Sequence, residues 1–91
     1  MNAVHVLIRG QVQGVGYRAW TVREAQKRRL TGWVRNRADG AVEALFCGED
    51  EAVQAMIAAC RAGPRMSQVR EIVAEPYAGP NPSGFSALAT A

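Results

Sequence analysis

Only two cysteines, Cys47 and Cys60, and one histidine, His5, occur in this chain of 91 residues. The cysteines stand thirteen positions apart, without a Cys-x-x-Cys spacing and with the histidine far upstream. The common zinc arrangements need ligands paired closely in sequence, so they are excluded. Nothing points to an oxidising compartment, and the two thiols are expected to lie buried as small apolar groups. Long apolar runs are missing too. None approaches the roughly 20 residues of a membrane-spanning helix, and the residues from Met1 to Arg9 alternate instead of forming a basic region followed by an apolar stretch. No signal peptide and no membrane partner are expected, and the cytoplasm is the expected location. A strongly polar composition is also absent: 48% of the residues are hydrophobic and 21% charged, which excludes disorder. One domain over residues 1–91 fits the length, burying roughly 60–65% of the surface of its unfolded chain.

What the chain does have is a basic balance, net +3 with an isoelectric point near 9.4. Such a balance favours an anionic partner, whether nucleic acid or a small phosphate ester. The one local basic cluster, Lys27-Arg28-Arg29, falls at an expected helix end, where cations complement the helix dipole. It reads as a solvated terminus before it reads as a nucleic-acid patch.

Val4, Val6 and Ile8 alternate with Ala3, His5, Leu7 and Arg9, the period of a strand, and Gly10 is expected to stop it. From Arg18 to about Leu30 no glycine or proline intervenes, and Trp20, Val22 and Ala25 supply the apolar positions of a helix. Trp33 to Asn36 and Val42 to Phe46 are strands joined by a turn at Asp39-Gly40, since glycine tolerates the positive φ of hairpin turns. Gly48-Glu49-Asp50 opens a second helix, whose Val53, Met56, Ile57 and Cys60 form one apolar stripe. Gly63-Pro64 ends it. Val69 to Ala74 is a fourth strand, and Phe85 to Leu88 a last short one. The order β-α-β-β-α-β with a β tail predicts an α+β, ferredoxin-like sandwich, an antiparallel sheet with both helices on one face. That architecture hosts binders and enzymes alike.

The stretch that can carry chemistry is Gly10-Gln11-Val12-Gln13-Gly14-Val15-Gly16-Tyr17-Arg18, between the first strand and the first helix. A glycine-containing loop lets backbone N–H groups converge, and the helix start adds unpaired N–H groups and the positive end of a dipole. Arg18 opens the helix, so its guanidinium can clamp two phosphate oxygens over the same loop. The third glycine of a dinucleotide fingerprint is missing, and no Gly-Lys-Ser/Thr occurs, which excludes a Walker loop. On these residues alone the loop reads equally as an anion site or as a structural turn. Asn36 likewise reads equally as a site residue beside the loop or as the opening residue of the hairpin turn.

Two motifs together resemble the acylphosphatase family. Its loop has the form Gly-x-Val-Gln-Gly-Val-x-Phe/Tyr-Arg, as in Gly10 to Arg18 here, followed by Gly-Trp-Val-x-Asn and a short glycine turn, as in Gly32-Trp33-Val34-Arg35-Asn36 and Asp39-Gly40. The resemblance continues through Gly63-Pro64, Ser67, Val69 and Phe85 and covers nearly the whole chain. It implies the ferredoxin-like fold and hydrolysis of the carboxyl–phosphate bond of an acyl phosphate, giving a carboxylate and inorganic phosphate without metal or cofactor. By the same resemblance the loop from Gln13 through Gly14, Val15, Gly16 and Tyr17, together with Arg18, holds the phosphate, and Asn36 orients the attacking water. The catalytic pair is then Arg18 and Asn36. A monomer is the default.

Three positions depart from the family pattern. A glycine often ends the family's first helix where this chain has Arg28-Arg29, so Arg29 is expected in a conformation that glycine holds more easily. Arg37 stands where a threonine often follows the asparagine, an extra cation near the mouth. The tail from Phe85 to Ala91 is poor in β-formers, so a short or frayed strand is expected.

Two other function classes remain at this point. A phosphate-binding module without turnover would have no use for a water-orienting asparagine. An RNA-binding domain of the same architecture needs exposed aromatics on its central strands. The first strand has none and the third only Phe46, so no nucleic-acid partner is expected.

Overall fold

Alternation in the first segment becomes an inner strand of a five-stranded sheet. In the computed structural model, which describes residues 1–91, Val6 and Ile8 are fully buried and Val4 nearly so. The elements are β1 (Asn2–Gln11), α1 (Tyr17–Lys27), β2 (Thr31–Asn36), β3 (Val42–Gly48), α2 (Asp50–Ala62), β4 (Gln68–Pro76) and β5 (Phe85–Ala87). The sheet order is β4-β1-β3-β2-β5. The four longer strands pair antiparallel, and both helices pack their apolar sides into one core with Val4, Val6, Ile8, Val34, Ala44 and Phe46. The ferredoxin-like expectation is met. The sheet is nonetheless mixed, because β5 pairs parallel to β2 through Gly32, Trp33 and Val34. Phe85 sets this edge by stacking on Phe46, ring centroids 5.7 Å apart.

The second helix follows its sequence stripe: Val53, Met56, Ile57 and Cys60 are its buried residues. Burying each of the larger side chains contributes about 1.5–3 kcal/mol. Asp50 and Glu51 sit in its first turn, where negative charge opposes the dipole, and Gly63 closes it at φ 65°. The first helix differs from expectation on both counts. It runs from Tyr17 to Lys27, stopping short of Leu30, and its fully buried face is Tyr17, Thr21 and Ala25, with Trp20 and Val22 only partly covered. Thr21 is tolerated there because its hydroxyl donates to the Tyr17 carbonyl at 2.8 Å.

The early stop has a backbone cause. Arg29 is the one non-glycine residue at positive φ, 58°. Its N–H donates to the Gln26 carbonyl and that of Leu30 to the Ala25 carbonyl, each at 3.0 Å. This is a Schellman closure with arginine in the position glycine usually takes, as the sequence comparison anticipated. Leu30 turns inward and is buried beneath it. Glu24 holds Lys27 and Arg28 at 3.4 and 2.7 Å, so the basic cluster is a solvated helix end.

Gly10 does not stop the first strand. β1 continues to Gln11 across a register shift between Arg9 and Gly10, because a residue without Cβ lets the Gln68 carbonyl of β4 come close. The tail beyond β5 is short but held. Leu88 N–H donates to Val34, Ala91 N–H to Asn36 and Ala38 N–H to Ala91, at 2.8, 3.0 and 2.8 Å. Both cysteines are buried and unpaired.

Candidate active site

The first strand ends at Gln11, Val12 turns into the core, and the chain climbs through Gln13 to Gly16 before α1 begins. Gly14 and Gly16 take left-handed conformations, φ 75° and 78°. A Cβ at either would meet no atom within 4 Å. Backbone conformation, not space, is what glycine supplies here. Gly16 is the N-cap of α1 and gives no side-chain cap, and the first turn holds no acidic residue. The first free N–H groups of the helix therefore face the loop unneutralised, which is the physical basis of an anion site.

An open cavity of about 410 Å³ lies over this helix start, lined by Gly14, Gly16, Tyr17, Arg18, Ala19, Asn36 and Ala87. Arg18 and Asn36 thus meet at one cavity although they stand 18 positions apart, one at the start of α1 and the other at the end of β2. Arg18 is half-buried and takes part in none of the chain's seven ion pairs, leaving its guanidinium available to a ligand. Asn36 is the last residue of β2, paired with Val42, and its carbonyl is held by the Ala91 N–H. Its backbone is fixed from two sides while its side chain borders the cavity.

The remaining loop residues divide. Gly14, Gly16 and Tyr17 line the cavity; Gln13 and Val15 do not. Val15 packs against the hydrophobic core. The Gln13 side-chain amide is spent on the hairpin, donating to the Arg37 carbonyl at 2.8 Å and the Ala41 carbonyl at 2.9 Å. Tyr17 contributes backbone only. Its ring is buried, and its hydroxyl donates to the Cys60 carbonyl at 2.6 Å. Burial, reinforced by Cys60, pushes the phenol well above its ordinary range, so it stays neutral. Burial likewise pushes the Cys60 thiol up to about 12, which leaves it protonated and inert.

Arg37 is engaged elsewhere. Its Nε lies 3.3 Å from Asp39 Oδ2 and its Nη1 3.8 Å from Glu43 Oε1, and it does not line the cavity. Two lining residues, Ala19 and Ala87, were not foreseen. Ala19 follows Arg18 in the exposed first turn, so helical placement could have found it. Ala87 is brought in by the parallel pairing of β5 with β2, for which a three-residue tail strand carries no local signal. No cluster of three or more His, Cys, Asp or Glu side chains with metal-holding geometry occurs anywhere in the chain.

Comparison with known proteins places the chain by sequence and by fold. The family model described as Acylphosphatase matches residues 4–87. A curated acylphosphatase of Rhodospirillum rubrum is 54% identical over 86 residues, 94% of each chain. The crystal structure of acylphosphatase from Bacillus subtilis superposes with a TM-score of 0.90 at 37% identity, covering 97% of this chain and 99% of that one. An acylphosphatase structure from Coxiella burnetii gives 0.92 at 31% identity, covering 96% and 92%. A matched family model over nearly the full length, a close curated relative and two structures with the same fold lead to one conclusion: the chain belongs to the acylphosphatase family.

Proposed function

We propose that this member of the acylphosphatase family hydrolyses the carboxyl–phosphate bond of a small acyl phosphate with its own side chains and backbone, Arg18 and the α1 N-terminus holding the phosphoryl group and Asn36 orienting the water. The observation that carries the reading is the meeting of an unpaired arginine, a two-glycine loop at an uncapped helix start and an asparagine amide around one open cavity. The phosphoryl oxygens accept from the free N–H groups and from the guanidinium fork, which offers two parallel donors. Water held by the Asn36 amide attacks phosphorus through its oxygen lone pair. The bond from phosphorus to the acyl oxygen breaks, the carboxylate leaves with the electron pair, and the water's proton passes to solvent. Phosphoryl transfer asks mainly for positioning and charge stabilisation, and a carboxylate leaves without help from an acid. Inorganic phosphate, the second product, remains a ligand of the same loop. The chain acts as a monomer in the cytoplasm, where buried reduced thiols are the normal state.

Release of phosphate from benzoyl phosphate tests this, run with and without a chelator. The wild type turns over equally in both. Asn36→Ala lowers kcat by about 10²–10³-fold while inhibition by phosphate stays within several-fold, as removal of a preorganised polar group from the reacting centre requires. A chain that binds phosphate but releases none from benzoyl phosphate is a binding module. Activity lost to the chelator and restored by a divalent cation removes the mechanism.

A further inference from the structure

The phosphate loop and Asn36 do not sit on neighbouring strands. In the order β4-β1-β3-β2-β5, the start of β3 lies between the end of β1, from which the loop springs, and the end of β2, which carries Asn36. The loop must cross that strand start to face the asparagine. Gln13 spans the crossing. Its one amide nitrogen donates to the carbonyl that follows Asn36, at Arg37, and to the carbonyl that precedes Val42, at Ala41. Both ends of the hairpin are thereby gripped by the residue next to Gly14. We infer that Gln13 is a positioning residue, a strut that sets the spacing between the phosphate-holding loop and the Asn36 amide, not a ligand of the substrate. The inference rests on the roles proposed above for Arg18 and Asn36.

The hairpin does not need Gln13 for its own integrity. Arg37 carbonyl also accepts from the Gly40 N–H at 3.1 Å, and Ala41 carbonyl from the Arg37 N–H at 2.8 Å. Removing the Gln13 donors therefore leaves neither carbonyl orphaned, so the stability penalty for a stranded buried acceptor does not arise. What is lost is the tie between the loop and the hairpin, which no other side-chain hydrogen bond supplies. Phosphate binding is local to the loop and α1, so it survives the loss. Attack needs the water and phosphorus at fixed separation, and this is what the strut governs.

Gln13→Met keeps the length of the side chain and removes its donors; Gln13→Ala removes its reach as well. With benzoyl phosphate as substrate, each variant lowers kcat by about 10–10²-fold, the loss that a displacement of about 1 Å causes in a positioned reaction. Inhibition by inorganic phosphate and the melting temperature stay close to wild type. In an Asn36→Ala background Gln13→Met costs less than about threefold, because residues acting through one geometry are not additive. A lowered melting temperature with unchanged kcat overturns the strut, as does a weakened phosphate inhibition that accounts for the whole loss. The same fold-loss in both backgrounds overturns it too. The wild-type and Asn36→Ala arms are read first: a wild type without turnover, or an Asn36→Ala variant at the wild-type rate, defeats the proposed function itself and not the strut.

Discussion

Arg18 shows how much of a site one residue type can announce. Its place directly after a glycine loop, at a helix start, fits a phosphate clamp, and the structure leaves its guanidinium outside every ion pair while Lys27, Arg28, Arg35 and Arg37 are engaged. A lysine at this position retains the charge and loses the planar fork. Arg18→Lys is therefore expected to recover little of the turnover lost in Arg18→Ala, with phosphate inhibition weakened in both. Steady-state rates on benzoyl phosphate check this, and a lysine variant near the wild-type rate shows that charge alone suffices. Gln13 and Tyr17 mark the limit of the same approach. Both stand in the motif, yet one spends its side chain on the hairpin and the other on the Cys60 carbonyl. A motif names positions; it does not say whether the backbone or the side chain at each is the part in use.

At the scale of elements, α2 was legible down to each buried residue because its stripe is apolar throughout and its ends carry acidic residues and glycine. The first helix was not, since a buried Thr21 looks polar in sequence while Trp20 and Val22 look like core. Its C-terminal end holds a measurable cost. The left-handed conformation costs an ordinary residue roughly 1–2 kcal/mol, and glycine loses roughly 0.5–1 kcal/mol through its greater freedom when unfolded. Arg29→Gly should then stabilise the fold by about 0.5–1 kcal/mol, seen as a higher urea midpoint at unchanged slope. Arg29 makes no side-chain hydrogen bond or ion pair that the change would remove, and it lies outside the cavity lining. A lower midpoint would show that the arginine side chain contributes to the helix end in a way its backbone does not reveal.

Across the whole molecule, the two faces of the sheet do different work. One is covered by the helices and carries the loop. On the other, Glu43 of β3 links its neighbours: Arg35 Nε lies 2.7 Å and His5 Nε2 2.6 Å from its carboxylate, with Arg35 over the Trp33 ring. Burial works to raise the Glu43 carboxyl, but hydrogen bonds from Arg35 and then His5 outweigh it and hold it below its ordinary value of 4.5. A carboxylate lowered in the folded state contributes stability above its unfolded value, and that contribution disappears as pH falls through the folded one. Glu43→Gln should thus lose about 1.5–3 kcal/mol at neutral pH, the range for hydrogen bonds to charged groups. Its stability should also vary less than that of the wild type in acid, which urea melts across the carboxylate range would show. Equal acid sensitivity in the two proteins would mean that other carboxylates carry the effect.

The sequence by itself determined the element order, the hairpin at Asp39-Gly40, the inner faces of β1 and α2, and the two motifs that mark the family. These are local or periodic signals, set by backbone preference and by which side chains avoid water. Tertiary structure alone decided that β5 runs parallel to β2 and brings Ala87 to the cavity, that Gly10 carries β1 past its expected end, and that Arg37 turns to Asp39 and Glu43. It also decided that Gln13 reaches across the start of β3 to the hairpin. The strand pairings and the reach of Gln13 depend on which backbone groups come to face one another across the sheet, and partners 24, 53 and 59 residues apart, as in Gln13 with Arg37, Gly32 with Phe85 and Gly10 with Val69, leave no trace in local periodicity.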